Sequence, residues 1–196
     1  FTSGATGTPK AVLLDRKGHE MAVNEYTALD FQAGDRLLVV PPVFHLAGAL
    51  WAQYAMLYGA TQVYVDDMSG AGLARAIDTQ QITQALLVPA LMYILVGELA
   101  QHPRSFPHLR YLAYGASPIP APLLRQILEL MPCKLMQVYG LSEAGGVVVE
   151  LGPEEHNPDS PVLLAAGKPI NSTQVRIVDP STGEDLEAGK SGEIVL

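Results

Sequence analysis

Short apolar runs separated by longer amphipathic stretches recur along most of the chain. The apolar runs predict five strands, at residues 36–40, 61–65, 82–88, 109–114 and 134–138. The stretches between them predict helices that end near Leu57, Asp78, Ala100 and Met131. A repeat of strand, turn and helix with short connections indicates an α/β fold, in which a mostly parallel sheet is flanked by helices.

The first residues of the chain carry two weaker patterns. The apolar run Ala11–Leu14 predicts one more strand. Residues 17–29 have mixed helical spacing and predict a helix that covers one face of the sheet.

The last residues follow a different pattern from the rest. Residues 150–166 are Pro-rich, acidic and irregular, and the alternating run 174–178 and the run 192–196 then predict antiparallel strands. We therefore divide the chain into an α/β subdomain at 1–165 and the truncated start of a β-rich subdomain at 166–196.

Composition narrows the class of protein. The chain has 196 residues, 48% of them hydrophobic, which suits one domain or slightly more. A net charge of −8 without a Lys/Arg cluster argues against nucleic-acid binding. Cys133 is the single cysteine, so an internal disulfide and a cysteine zinc cluster are both excluded, and a cytoplasmic location is the default.

Neither end of the sequence resembles a natural terminus. Phe1 lies within a Gly-rich loop and Leu196 within an apparent strand, so we expect the sequence to be an excerpt of a longer protein. The apolar runs are too short to cross a bilayer, and no signal peptide is evident. Peripheral contact with a membrane surface stays open.

The first ten residues, FTSGATGTPK, combine features that suit a polyphosphate. Glycines let several backbone N–H groups converge on one point, and hydroxyl groups and an ammonium add further donors. The residues concerned are Thr2, Ser3, Gly4, Thr6, Gly7 and Lys10. An ordinary flexible turn has a similar composition. The common P-loop is excluded because Lys10 follows a proline and Ala11 replaces the hydroxyl that would bind magnesium.

Three further motifs follow predicted strands. They are Phe44-His45-x-x-Gly48, Tyr114-Gly115-Ala116-Ser117-Pro118 and Tyr139-Gly140-x-Ser142-Glu143. Because the carboxyl ends of parallel strands lie at one edge of a sheet, where such folds bind ligands, we expect the three motifs to lie together there.

Each of the three motifs also has a purely structural interpretation. Glu143 suits Mg²⁺ and Ser142 a phosphoryl oxygen, while Tyr139 offers a flat face for a purine; a strand-end turn with a solvated Glu is the alternative. The small Gly115 and Ala116 would let backbone lie against a base or an acyl chain, or form a simple tight turn. His45 would contact the carboxylate of an acid or gate its channel, or only begin a helix.

Together the four motifs resemble those of the adenylate-forming superfamily, which contains acyl-CoA synthetases, luciferases and the adenylation domains of peptide synthetases. Two positions depart from the family pattern, Ala11 where Gly is usual and Ser142 where Thr is usual. The motifs at 44–48 and 114–118 resemble the acyl-CoA synthetase versions. Residues 43–52 contain no Asp or Glu, which disfavours an amino-acid substrate because its buried ammonium would lack a partner.

The resemblance implies a role for each motif residue. Thr2 and Glu143 would lie on the metal side, and Ser3, Thr6 and Lys10 would hold the β- and γ-phosphates. Lys10, Ser142 and Glu143 would be catalytic, and His45, Gly115 and Ala116 would contact the acid. The implied ATP or AMP site contains Thr2, Ser3, Gly4, Thr6, Gly7, Lys10, Gly115, Ala116, Ser117, Tyr139, Gly140 and Ser142.

The implied reaction has two steps and uses ATP, Mg²⁺ and coenzyme A. A carboxylic acid, a fatty acid by preference, attacks the α-phosphorus of ATP, and a thiol then accepts the acyl group. An adenylation domain that loads a carrier protein and a nucleotide-free module that kept the motifs as relics remain alternatives. The family's ribose-binding Asp and C-terminal domain would lie beyond Leu196, so we expect these residues alone to be inactive.

Overall fold

The α/β architecture predicted from the sequence is confirmed. The computed structural model describes residues 2, 7–24, 28–170 and 173–196, apart from the side chain of Met21. The helices are α1 (Arg16–Asn24), α2 (Leu46–Leu57), α3 (Gly70–Thr79), α4 (Pro89–Gln101) and α5 (Ala121–Leu130). The strands are β1 (Arg36–Val39), β2 (Thr61–Tyr64), β3 (Gln84–Leu87), β4 (Tyr111–Gly115), β5 (Lys134–Leu141), β6 (Gly146–Leu151), β7 (Lys168–Pro169), β8 (Arg176–Val178) and β9 (Glu193–Val195).

Seven of these strands form one mostly parallel sheet, in the order β2-β1-β3-β4-β5-β6-β7. Strands β1 to β5 are parallel to one another, whereas β6 and β7 are added antiparallel. The chain moves outward from β1 to β2 and then returns to β3 on the other side of β1. Ligands of open α/β sheets bind at such a reversal, beyond the carboxyl ends of the strands.

Both faces of the sheet are covered, because successive side chains of a strand point to opposite faces. Leu38 packs with the buried residues of α3, α4 and α5, whereas Leu37 and Val39 pack with Trp51 and Tyr54 of α2. Burial on two sides explains why apolar residues occupy consecutive positions in the central strands β1, β3 and β4.

The hairpin formed by β5 and β6 was interpreted incorrectly from the sequence. The predicted loop 139–145 is a strand through Leu141, followed by a single 3-10 turn, Ser142–Ala144, and by β6. Tyr139 and Gly140 thus lie in a paired strand, with a bulge between them. The strands approach closely there, since a Cβ at Gly140 would overlap the carbonyl oxygen of Gly146.

The chain before α1 also differs from the prediction. Residues 11–15 form no strand, and Leu13 is 97% exposed. Instead, Thr2 and Lys10 form an isolated antiparallel bridge, in which each backbone N–H donates to the other residue's carbonyl. Among the described residues no strand pairs with this apolar run, and propensity alone does not make a strand.

The end of the chain forms the antiparallel pair β8–β9, as the sequence predicts. Strand β7, at Lys168–Pro169, still belongs to the large sheet, where it pairs with β6. The division of the chain at 165/166 into two subdomains stays a prediction. No helix among the residues with a described structure is long and apolar enough to cross a membrane.

A buried polar network joins the amino ends of β1, β3 and β4. Asp35, 5% exposed, accepts hydrogen bonds from the backbone N–H of Gln32 at 2.8 Å and from Gln84 Nε2 at 3.1 Å. Arg110 Nη2 donates to both carboxylate oxygens of Asp35, at 2.9 and 2.8 Å. This network lies at the edge of the sheet opposite to the strand-end motifs and therefore bears on stability rather than on ligand binding.

Candidate functional site

An apolar cavity of about 300 Å³ opens at the carboxyl ends of four strands. Residues within or just after β1, β3, β4 and β5 line it together with one side of α2. They include Val40, Pro41, Pro42, Leu87, Val88, Ala113, Gly115, Ala116, Val138, His45, Leu50, Trp51 and Tyr54. A cavity with such walls suits an apolar ligand body.

A second cavity, of about 310 Å³, lies beside the first and has both polar and apolar walls. One side is formed by the end of β4 and the turn after it, the other by residues 163–166 of the irregular segment, and the floor by β5. Its lining residues include Tyr114, Ala116, Ser117, Pro118, Gln137, Val138, Tyr139, Gly140, Leu163, Leu164, Ala165 and Ala166. We call the two spaces the apolar cavity and the mixed cavity.

The turn after β4 separates the two cavities. Ala116 and Val138 line both of them. Gly115 pairs in register with Val138, and a Cβ at Gly115 would overlap the Val138 carbonyl oxygen. Ala116 has φ +65°, a left-handed conformation that costs a residue with a Cβ about 1 kcal/mol or more. The two cavities therefore adjoin at this tight turn.

Six of the site residues predicted from the sequence line these cavities, and Ala116 lines both. Gly115 and His45 line the apolar cavity; Ser117, Tyr139 and Gly140 line the mixed cavity. His45 is exposed and stands at the N-cap of α2, where its side chain makes no capping hydrogen bond. Its ring centroid lies 4.6 Å from that of Phe44.

Ser142 and Glu143 lie just beyond the mixed cavity, on the 3-10 turn between β5 and β6. Glu143 is exposed, so its carboxylate is accessible to a ligand. Among residues with described side chains, no group of three or more His, Cys, Asp or Glu could hold a metal ion by itself. A cation at Glu143 would therefore need oxygen ligands from another source, such as a phosphate.

The Gly-rich loop is closed at its base by the bridge between Thr2 and Lys10, with N···O distances of 2.9 and 3.1 Å. Gly7 has φ +85°, which its lack of a side chain permits. Leu14 Cδ2 lies 3.8 Å from the place of a Cβ at Gly145, so the chain after the loop contacts the β5–β6 turn. The sequence predictions for Ser3, Gly4 and Thr6 fall outside the described residues.

Gln137 is a site residue that the sequence reasoning missed. It lines the mixed cavity, and its side-chain Oε1 is buried without a hydrogen-bond partner among the described residues. A buried acceptor left unpaired costs about 1–3 kcal/mol, so a ligand donor would relieve it. The available signal was a polar residue in the otherwise apolar stretch 135–138.

His156 was also missed as part of the site. It is 8% exposed, its Nδ1 lies 2.8 Å from the carbonyl oxygen of Gly152, and its Nε2 lies 2.9 Å from Tyr114 Oη. A carbonyl only accepts, so Nδ1 carries the proton and Nε2 accepts from the tyrosine hydroxyl. Burial lowers the pKa of His156, against opposing contributions from the Gly152 carbonyl and Glu155, which favours this neutral ring. Burial likewise raises the pKa of Tyr114, which keeps its hydroxyl protonated.

A family model described as AMP-binding enzyme matches residues 1–196. The chain is 33% identical over 202 residues to the fatty acid–[acyl-carrier-protein] ligase ScoC of Streptomyces coeruleorubidus, a match that covers 100% of this chain and 38% of that protein. The chain therefore spans less than two fifths of this relative's length.

Two solved structures share the fold. The amide bond synthetase McbA from Marinactinospora thermotolerans has a TM-score of 0.87 at 31% identity, with 99% of this chain and 38% of that chain covered. The o-succinylbenzoate coenzyme A synthetase MenE from Bacillus subtilis, in complex with ATP and magnesium ion, has a TM-score of 0.83 at 29% identity, with 98% and 39% covered.

Proposed function

Because the chain belongs to the AMP-binding enzyme family, we propose that the whole protein uses ATP to activate a carboxylic acid as an acyl-adenylate and then transfers the acyl group to coenzyme A. The resemblance to the adenylate-forming superfamily is confirmed at the level of the family. Within the chain, we assign ATP and acid binding to residues 1–165.

One observation carries this proposal: the apolar and mixed cavities adjoin and share lining residues. Adenylation joins a carboxylate to the α-phosphorus of ATP, so the head of an acid must meet the phosphate end of a nucleotide. Ala116 and Val138 line both cavities and mark the place where the two ligands would meet. Holding both reactants in line is the main catalytic task, because it removes the entropy cost of their encounter.

The mixed cavity and its surroundings fit a nucleotide. The unpaired Oε1 of Gln137 would accept a hydrogen bond from the exocyclic amine of adenine, and Tyr139 would lie against the base. Lys10, Ser142 and the N–H groups of the Gly-rich loop would hold phosphate oxygens. Glu143 and Thr2 would hold Mg²⁺, which neutralises phosphate charge when bound.

The apolar cavity favours an acid without a second charge. Among the described residues its lining contains no Asp, Glu, Lys or Arg, and its ionisable members are His45 and Tyr54. An amino acid would bury an ammonium without a carboxylate partner, at a cost of several kcal/mol. A fatty acid is our first choice, and an aromatic acid with an apolar ring is the second.

The acceptor is the least constrained part of the proposal. The similar proteins are named for a carrier protein, for coenzyme A and for amide bond formation, so the family model leaves the acceptor open. Coenzyme A is our first choice and a carrier protein the alternative. The non-enzymatic alternative is a module that binds no nucleotide.

Acid-dependent exchange of labelled pyrophosphate into ATP tests the first step in the whole protein. We expect exchange with apolar fatty or aryl acids and little with amino acids. Product analysis with coenzyme A, then with a carrier protein, identifies the acceptor. Absence of exchange with every acid, together with no binding of a non-hydrolysable acyl-adenylate analogue, would leave the nucleotide-free module as the correct interpretation.

Replacing Gln137 by leucine should change stability and ATP binding in opposite directions. Loss of the unpaired Oε1 should raise the free energy of unfolding without ligand by about 1 kcal/mol. Loss of the acceptor should weaken ATP binding about tenfold, the equivalent of 1.4 kcal/mol. Urea denaturation and calorimetric titration with ATP measure the two effects. Tighter or unchanged ATP binding would contradict the role given to Gln137.

A further inference from the structure

The two walls of the mixed cavity are joined by one side-chain hydrogen bond. Tyr114, 1% exposed, is the residue before the Gly115–Ala116 turn and lines the cavity on the β4 side. His156 belongs to residues 152–166, whose last four residues line the opposite side. The bond from Tyr114 Oη to His156 Nε2 thus ties one wall to the other.

The geometry of His156 is fixed from both ends of its ring. Its Nδ1–H closes the Pro153–Glu155 turn by donating to the Gly152 carbonyl, which orients Nε2 toward Tyr114. The two rings also meet edge to face, with centroids 5.6 Å apart. A neutral histidine held in this way has one acceptor atom to offer, and Tyr114 uses it.

Further contacts hold the same segment at a distance from that bond. Leu163 is buried in the core cluster beside α5, and Arg125 Nη1 donates to the carbonyl of Pro158 at 2.8 Å. Arg125 touches neither cavity lining, so the segment remains anchored without His156. The contribution of His156 is to hold the Tyr114 side chain in place. Because Tyr114 directly precedes the Gly115–Ala116 turn, His156 also holds that turn.

We infer that His156 is a positioning residue for nucleotide binding, which acts by holding Tyr114 and the turn after β4 against the segment 152–166. The ligand concerned is the adenine nucleotide of the proposed function, on which this inference rests. His156 takes no part in the chemical step.

Calorimetric titration of the whole protein with ATP, without acid, tests this role. We expect His156→Leu and Tyr114→Phe each to raise the Kd for ATP about five- to tenfold, the effect of one neutral hydrogen bond. The double variant should bind ATP no more weakly than the weaker single variant, because both changes remove the same bond. His156→Gln, whose amide oxygen also accepts, should restore most of the affinity.

Arg125→Ala is the matched control. It removes a hydrogen bond from the same segment but should leave the Kd for ATP within about twofold, even where the melting temperature falls. In pyrophosphate exchange, the His156→Leu variant should show a raised KM for ATP and a KM for the acid within about twofold of wild type.

Three results would overturn the inference. An unchanged Kd for ATP in both single variants would show that the bond is structural only, and so would an equal loss of affinity in Arg125→Ala. Additive losses in the double variant would show that the two residues act separately. Failure of the proposed function is distinguishable, because the wild-type protein itself would then neither bind ATP nor exchange pyrophosphate.

Discussion

Replacing Gly115 by alanine should lower kcat/KM for acid-dependent pyrophosphate exchange by about 100-fold or more. A Cβ at this position would overlap the carbonyl oxygen of Val138, which belongs to the backbone of the neighbouring strand. Val138 is paired on both sides, with Gly115 of β4 and Glu150 of β6, so its carbonyl has no room to retreat. The end of β4 must move instead.

That movement would reach both ligands of the proposed reaction. Gly115 lines the apolar cavity and Ala116 lines both cavities, so a displaced turn misplaces the acid and the nucleotide relative to each other. A misplacement of about 1 Å costs roughly 100-fold in rate. A loss confined to stability would leave the activity of the folded fraction unchanged, so the rate is normalised to protein that is folded by circular dichroism.

Gly97→Ala is the matched control for this substitution. Gly97 lies within α4, away from both cavities, and a Cβ there would meet no atom within 4 Å. Alanine in a helix interior is about 1 kcal/mol more favourable than glycine, so this variant should be slightly more stable and fully active. If Gly115→Ala kept more than about half of the wild-type kcat/KM, the position of the turn after β4 would not control the rate of adenylation.

The centre of the main sheet was predictable because its strands are buried on both faces. Such strands appear in a sequence as largely apolar runs, as β1, β3 and β4 do, whereas β2 lies at the edge of the sheet and has no buried residue. The run Ala11–Leu14 shows its limit, because an apolar run forms a strand only where a neighbour supplies hydrogen bonds. The sequence analysis did not predict strand β6. Its partner β5 continues through Tyr139 and Gly140, residues that the motif-based interpretation placed in a loop.

The candidate site was predictable where its residues follow strands. Motifs at 44–48 and 114–118 follow parallel strands, and the topology of such sheets is enough to bring them to one edge. The bond between Tyr114 and His156 joins residues 42 positions apart, and no local pattern marks it. Gln137 differs from its neighbours only in polarity, and the missing partner of its Oε1 becomes evident only when the surrounding side chains are placed.

Replacing Asp35 by asparagine should lower the free energy of unfolding by about 3 kcal/mol near neutral pH. The substitution keeps the shape of the side chain but removes the charge that Arg110 contacts and one of two oxygen acceptors. Breaking a buried charge pair costs about 3–5 kcal/mol, and the Arg110 side chain is 33% exposed, so water offsets part of the loss. Asp30→Asn is the control: its carboxylate lies 3.5 Å from the same Arg110 but is 61% exposed, and its loss should cost less than about 1 kcal/mol.

The same comparison should depend on pH in a defined direction. Burial by itself would raise the pKa of Asp35, but hydrogen bonds from the Gln32 amide, Thr83 and Arg110, with the charge of Arg110, outweigh it and lower the pKa below its usual value. A carboxylate with a lowered pKa in the folded state stabilises fully above the unfolded pKa of about 4, and this stability is lost as the pH falls through the folded value. The difference in unfolding free energy between wild type and Asp35→Asn should therefore be largest near neutral pH and shrink in acid, as measured by urea denaturation across that range. A difference that grows as the pH falls would mean that Asp35 is protonated in the folded protein, and that Arg110 is held by other partners.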